Sequence, residues 1–266
     1  MSELCTWFGL KRYPFDKELK CGQILETDPQ RECTARLAFI KRRGGILLLT
    51  GDPGVGKTLA LRHFVDGLND NLYRPVYTPL STLNGADLLR HLNQKLHLPN
   101  RASKSTLYLQ IQQELLDSRE TKGKTVVLLI DEAHLLKTSS LQELRLLTNF
   151  RMDSYDPFIL ILCGQSDLRR MMDYAILEPF AQRLAMRYHM PPLEYDQTQR
   201  YIEHQMTLAG AHEPVFGDDA CRAIFDLSFG IPRKIGLVAT QALTYAMFSE
   251  QRTIDADMVL KCKATG

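Results

Sequence analysis

Apolar residues in this chain follow two rhythms. Short unbroken runs, ILLLT before Gly51, VVLLI before Asp131 and FILILC at 158–163, alternate with longer stretches where apolar positions recur every three or four residues. An unbroken run of this length marks a strand covered on both faces of a parallel sheet. The three- and four-residue spacing marks a helix with one buried side. Strands are therefore predicted at about 45–50, at PVYTPL (75–80), at VVLLI ending in Asp131 and Glu132, at 158–163 and at AMRYHM (185–190). Helices are predicted over DPQRECTARLAFIKRR, with Asp28 and Pro29 at its start, and at about 85–97 and 105–120 on either side of HLPNRASK. Another is predicted over SSLQELRLLTNF, whose Leu141, Leu144 and Leu147 share a face. The opening WFGLKRYPF is expected to be a loop anchored by aromatics. Strands alternating with helices imply an α/β fold with a mainly parallel sheet covered on both faces. After PPLEY the strands stop, and DQTQRYIEHQMTLAG, DDACRAIFDLS and PRKIGLVATQALTYAMF all have helical spacing. The expected organisation is an N-terminal segment (1–44) packed on an α/β domain (45–193), followed by a small all-helical domain (194–266).

The first strand runs into GDPGVGKT, Gly51 to Thr58, and then into the helical LALRHFVDGL. Strand, glycine-rich loop and helix form the context that a G-x-x-x-x-G-K-[ST] phosphate loop requires. Glycines let the backbone approach a polyphosphate without Cβ clashes. Successive N–H groups and the helix N-terminus then face the anion. The expected nucleotide-binding residues here are Gly51, Asp52, Pro53, Gly54, Val55, Gly56, Lys57, Thr58 and Leu59. Lys57 is placed to reach the β- and γ-phosphates, and Thr58 to hold Mg²⁺ through its hydroxyl. Asp131 and Glu132 end the third strand, at the edge of the sheet where α/β folds place ligands. Asp131 is expected to bind the Mg²⁺ shell, and Glu132 to polarise an attacking water as general base. Together the two segments form a Walker A and Walker B pair. They predict an enzyme that hydrolyses ATP with Mg²⁺.

Composition adds limits. The chain has 266 residues, of which 44% are apolar, enough for one or two cored domains. Its net charge is +2, so any nucleic-acid surface has to be local. The basic run Lys41-Arg42-Arg43 fits a solvated helix end, where cations suit the dipole. The cysteines, Cys5, Cys21, Cys33, Cys163, Cys221 and Cys262, show no C-x-x-C spacing, so zinc is not expected. Cys163, inside an apolar strand, is expected to be a buried thiol. The opening lacks the apolar core of a signal segment, and no run approaches the roughly twenty apolar residues of a membrane span. These features predict a cytoplasmic protein with no membrane contact.

A phosphate-loop α/β domain followed by a helical lid resembles the AAA+ ATPases. Four segments are similar to the ExeA family within that group: WFGLKRYPF, GILLLTGDPGVGKT, VVLLIDEAHLL with LQELRLLTNF, and the tail QR…YHMPPL…GIPRKIG. The resemblance implies a P-loop AAA+ parallel-sheet sandwich with a small C-terminal all-helical lid. It implies that Gln165, in LCGQSDL, is a polar sensor of the γ-phosphate, although the residue also suits a plain turn. It implies that Arg183 is an arginine finger acting in a neighbour's site, with Arg187 and the pair Arg169-Arg170 as competitors. Arg233, in GIPRK, matches a lid arginine that contacts phosphate, and Ile231 and Pro232 could pack on the adenine. Phe15, Ile24 and Leu25 suit either the other wall of the base pocket or ordinary core. A finger acting in trans makes the active form a homo-oligomer, as a ring or a helical filament.

Families of this kind include secretion-assembly ATPases and transposon-encoded target-selection ATPases of the MuB/TnsC kind. The sequence stops soon after the lid, which favours the second class as an expectation. The function expected on that basis is a DNA-binding regulator of transposition that assembles on duplex DNA with ATP and recruits or stimulates a transposase. The alternative is an ExeA-like secretion-accessory or protein-remodelling ATPase. Candidate DNA contacts are Ser81 and Thr82 in the loop 81–84, with Arg101 and Lys104 beyond it. Small polar groups and cations of this kind contact the DNA backbone, so binding is expected to be largely independent of sequence. An ordinary exposed loop explains the same residues.

Overall fold

Three strands of this protein, made mostly of apolar residues, are buried from end to end, and they occupy the middle of the sheet. In the computed structural model, which describes residues 3–16, 23–79, 83–101 and 103–264, β1 (Gly45–Gly51), β3 (Thr125–Ile130) and β4 (Ile159–Gly164) are buried at every position. The two strands with exposed and half-buried positions, β2 (Tyr73–Thr78) and β5 (Leu184–Met190), lie at the edges. The order is β2-β3-β4-β1-β5, and every pairing is parallel. Pro75 fits this placement, because a residue without an N–H belongs on an edge strand. The sheet and its flanking helices form the P-loop AAA+ α/β fold with a helical C-terminal part.

The register brings the functional ends of the strands together. Thr50 pairs with Gly164, Leu162 with Ile130, and Ile130 with Thr78. The segments that leave β1, β3 and β4 therefore emerge along one edge of the sheet, where ligands gather in parallel α/β folds.

Helices α2 (Asp28–Arg43), α3 (Lys57–Asp66), α4 (Gly85–Lys95), α5 (Lys104–Glu120), α6 (Thr138–Leu147), α7 (Ser166–Met172) and α8 (Glu178–Ala181) accompany the strands. Leu88 and Leu92 of α4, Ile111 of α5 and Leu144 of α6 join Val126, Leu128 and Leu160 of the sheet in one apolar cluster. In the C-terminal part, α9 (Tyr195–Ala209) starts with a reciprocal cap between Glu194 and Gln197 and ends at Gly210, whose φ is +100°. After it come α10 (Asp218–Ser228), α11 (Pro232–Phe248), with proline at its first position, and α12 (Ala256–Ala264).

The chain divides into two compact units. One comprises residues 32–53 and 57–190, and the other residues 1–31, 54–56 and 191–266. The N-terminal residues share their core with the C-terminal helices: Leu4, Cys5 and Leu10 are buried in the same cluster as Ile202, Ile224 and Leu243.

Several local elements differ from the sequence reading. WFGLKRYPF is not wholly loop, because Trp7 and Phe8 complete α1 (Glu3–Phe8), which is held by the burial of Leu4 and Cys5. The last helix, α12, and the short α7 and α8 were not anticipated. The helical unit also contains a bridge between Phe216 and Ile254. The five described cysteines, Cys5, Cys33, Cys163, Cys221 and Cys262, are buried and form no disulfide among themselves. Cys21 lies outside the described residues. Among the described residues no helix is long and apolar enough to cross a membrane.

Candidate active site

The phosphate loop turns through glycines that other residues replace poorly. Gly54 and Gly56 have φ of +91° and +109°, in the left-handed region that side chains disfavour. Just after them Lys57 opens α3 and turns its side chain back into the loop. Its Nζ donates to Gly51 O at 2.8 Å and Asp52 O at 2.9 Å. The residue is only 7% exposed, and burial lowers its pKa. The near partners of this buried ammonium are carbonyl oxygens rather than a carboxylate. A phosphate oxygen is the stronger acceptor for such a group, so the cradle fits a polyphosphate.

The next residue faces the third strand. Thr58 Oγ1 donates to Asp131 Oδ2 at 3.0 Å, and Tyr77 Oη donates to the same oxygen at 3.1 Å. Asp131 Oδ1 accepts the Glu132 N–H at 2.9 Å. Asp131 is 4% exposed, and these three donors fix its carboxylate. A hydroxyl and a carboxylate side by side form a hard oxygen donor set suited to Mg²⁺. Cys163, at the end of β4, also lies against Asp131, and burial pushes its thiol well up.

Glu132 is held differently. Its backbone is left-handed (φ 52°, ψ 31°) at the start of a short 3₁₀ turn, Ala133–Leu135. Its side chain is 48% exposed, with Oε2 3.6 Å from His134 Nε2. One acid is thus locked in place and the other is accessible. That is the division needed between a metal-holding carboxylate and one that takes a proton from water. Gln165 is the residue before α7, and its side chain makes no capping bond there. Its N–H donates to His134 Nδ1 at 3.3 Å.

The arginines assigned from the resemblance have the following surroundings. Arg183, just before β5, donates to Arg145 O at 3.2 Å and to Thr148 Oγ1 at 2.9 Å, and pairs with Asp153 at 2.9 Å. Arg187 donates to Ala181 O at 3.0 Å, and Arg170 pairs with Asp167 at 3.1 Å. Arg233 lies in the first turn of α11 and donates its N–H to Gly54 O at 3.3 Å, within the unit that contains both residues. Ile231 beside it is buried. Phe15 packs against Tyr201 with ring centroids 6.3 Å apart.

Of the candidate DNA contacts, Ser81 and Thr82 lie outside the described residues. Lys104 pairs with Glu143 at 2.6 Å, and Arg101 is exposed. Asn84, at the end of that loop, caps α4 by accepting the Asp87 N–H at 3.0 Å.

Two residues of the site were not singled out from the sequence. Tyr77 stood in an apolar-polar run with no motif. His134 stood inside DEAH, but its link to Gln165 joins segments 31 residues apart.

The AAA domain model matches residues 40–172. That is half of the chain, and it includes the phosphate loop, both acids and Gln165. The chain belongs to the AAA domain family. This AAA protein is 32% identical over 243 residues to General secretion pathway protein A of Aeromonas hydrophila, a match that takes in 90% of the present chain and 44% of that relative. The chain thus spans less than half of the relative's length. Among solved structures, Drosophila ORC bound to DNA matches with a TM-score of 0.72 at 17% identity, covering 99% of this chain and 66% of that one. Cdc6p from Pyrobaculum aerophilum gives 0.66 at 18%, covering 98% and 70%. RuvB, the Holliday junction branch migration motor of Thermotoga maritima, gives 0.58 at 19%, covering 91% and 70%. At these identities the likeness is one of fold. The AAA domain match is what supports a nucleotide-hydrolysing P-loop ATPase in general.

Proposed function

We propose that this AAA protein hydrolyses ATP and uses the cycle to remodel or assemble a protein partner, as an ExeA-like secretion-accessory ATPase. The observation that carries the ATPase reading is the 3.0 Å bond from Thr58 to Asp131 with Lys57 folded back into the loop and Glu132 accessible alongside. Bound ATP would supply the phosphoryl group and Mg²⁺ the charge that stabilises its transfer. Lys57 and the loop from Gly51 to Leu59 bind the phosphates, Thr58 and Asp131 hold the metal, and Glu132 accepts the proton of the attacking water. Gln165 and Arg233 monitor the terminal phosphate, and Ile231 and Pro232 support the base. The site is completed in a homo-oligomer by an arginine from a neighbouring subunit, either Arg183 or Arg187. For Arg183 that role requires leaving Thr148 and Asp153.

The 32% identity to a secretion-pathway protein supports the partner class. The transposition reading depended on where the sequence ends, and that carries no weight in a chain matching 44% of its relative. DNA binding through Ser81, Thr82, Arg101 or Lys104 and recruitment of a transposase are therefore not preferred. The deciding experiment measures phosphate release by the purified chain, with ATP-dependent gel shift on arbitrary duplex DNA alongside. Hydrolysis without a shift is expected. A cooperative, salt-sensitive shift that requires ATP would restore the DNA reading, and no hydrolysis under any condition would remove the enzyme assignment.

A further inference from the structure

The segment after Asp131 is built around one histidine. The 3₁₀ turn Ala133–Leu135 brings His134 back between two loops, and its side chain is only 8% exposed. Nδ1 accepts the backbone N–H of Gln165 at 3.3 Å. A nitrogen that accepts cannot carry the proton, so the ring proton sits on Nε2. That nitrogen faces Glu132 Oε2 at 3.6 Å. The distance is a little beyond a hydrogen bond, and a small rotation of the half-exposed glutamate closes it.

Two backbone features keep this arrangement in place. Glu132 holds a left-handed φ of 52° although it is not glycine, a strained conformation that persists only where its surroundings enforce it. Gly164, just before Gln165, lets the two loops approach. A Cβ there would stand 3.1 Å from His134 N and 2.9 Å from Leu168 Cδ2. The imidazole is thus clamped on one side by the chain leaving β4, and it presents a single donor to the only carboxylate of the site that has no other tether among the described residues.

We infer that His134 is a positioning residue for Glu132. It donates Nε2–H to one carboxylate oxygen, leaves the other to take the proton of water, and links the carboxylate's position to the backbone of Gln165. The inference rests on the ATPase reading above, with Glu132 as general base. A displacement of Gln165 by an occupied phosphate site then passes through the ring to the base. A histidine that only filled space would have no such directional effect.

The test compares three substitutions by steady-state turnover, by titration with a fluorescent ATP analogue, and by melting temperature. His134→Gln retains an N–H near the Nε2 position and should keep turnover within about threefold. His134→Leu removes the donor and should lower kcat by roughly 10- to 100-fold, the scale of a misplaced catalytic group, with analogue affinity unchanged. If His134→Leu does not fold, His134→Asn takes its place. Its amide can still accept the Gln165 N–H but is too short to reach Glu132, so the same loss is expected. Equal turnover in all variants, or a loss shared by His134→Gln that follows melting temperature, overturns the proposal. Turnover that survives Glu132→Gln removes the base assignment, and this proposal with it. Loss in Glu132→Gln with none in His134→Leu overturns the positioning role alone.

Discussion

Lys57 and Glu132 have opposite surroundings: one is enclosed by loop carbonyls, the other half exposed beside His134. Lys57→Ala should therefore weaken ATP binding, by about tenfold or more if a charged hydrogen bond of roughly 1.5–3 kcal/mol is lost. Glu132→Gln should leave binding intact and remove most turnover. Titration with a fluorescent ATP analogue beside phosphate release separates the two, and unchanged turnover in Glu132→Gln would end its assignment as base. Tyr77 offers a second test at this scale. Its hydroxyl holds Asp131 Oδ2, and burial together with that carboxylate pushes its pKa up to about 12, so it remains a donor throughout the neutral range. Tyr77→Phe should raise the Mg²⁺ concentration for half-maximal turnover by roughly tenfold, the usual effect of losing a group that orients a metal ligand. No change in Mg²⁺ dependence would reduce Tyr77 to packing. Lys57, Thr58, Asp131 and Glu132 were legible in the sequence because the loop and the strand end are contiguous motifs. Tyr77 and His134 were not, because each acts on a residue brought near by sheet register.

Elements are positioned here by close backbone approaches that only glycine allows. At Gly230, φ is +68° and a Cβ would stand 1.9 Å from Leu193 O, within the helical unit. Gly230→Ala should cost at least about 2 kcal/mol, because relief requires moving backbone. Thermal unfolding measures it, and an unchanged melting temperature would show that the turn can relax. At Gly54 a Cβ would meet Arg233 Cβ at 2.7 Å and Ile231 Cγ2 at 3.2 Å. The glycines themselves were visible in the sequence, but the atoms that crowd them were not. Strands of unbroken apolar residues were also legible, since burial on both faces leaves no polar period. The six residues of α1 were too few for a helical period to show. That helix depends on Leu4 and Cys5 meeting a core made by residues about 200 positions later.

At the scale of the whole molecule, the proposal of an arginine acting in a neighbouring site is tested by mixing subunits. Arg183→Ala should leave analogue binding nearly intact and lower turnover by on the order of 10³-fold if Arg183 is the finger. Mixing that variant with Lys57→Ala should restore part of the activity, because some joints then pair an intact pocket with an intact finger. If no mixture recovers activity while Arg187→Ala mixtures do, the role passes to Arg187. The bonds of Arg183 to Thr148, Arg145 and Asp153 make a structural loss possible, so melting temperature is measured in parallel. By itself the sequence determined the α/β class, the strands, the phosphate loop and both acids, because each is written in contiguous residues whose pattern follows from burial or from phosphate geometry. Only the tertiary structure decided the strand order β2-β3-β4-β1-β5, the sharing of one core by α1 and the C-terminal helices, and the placement of Tyr77 on Asp131 and His134 between Glu132 and Gln165. Those features depend on which distant segments pack together, and pairwise proximity leaves no local period in the chain.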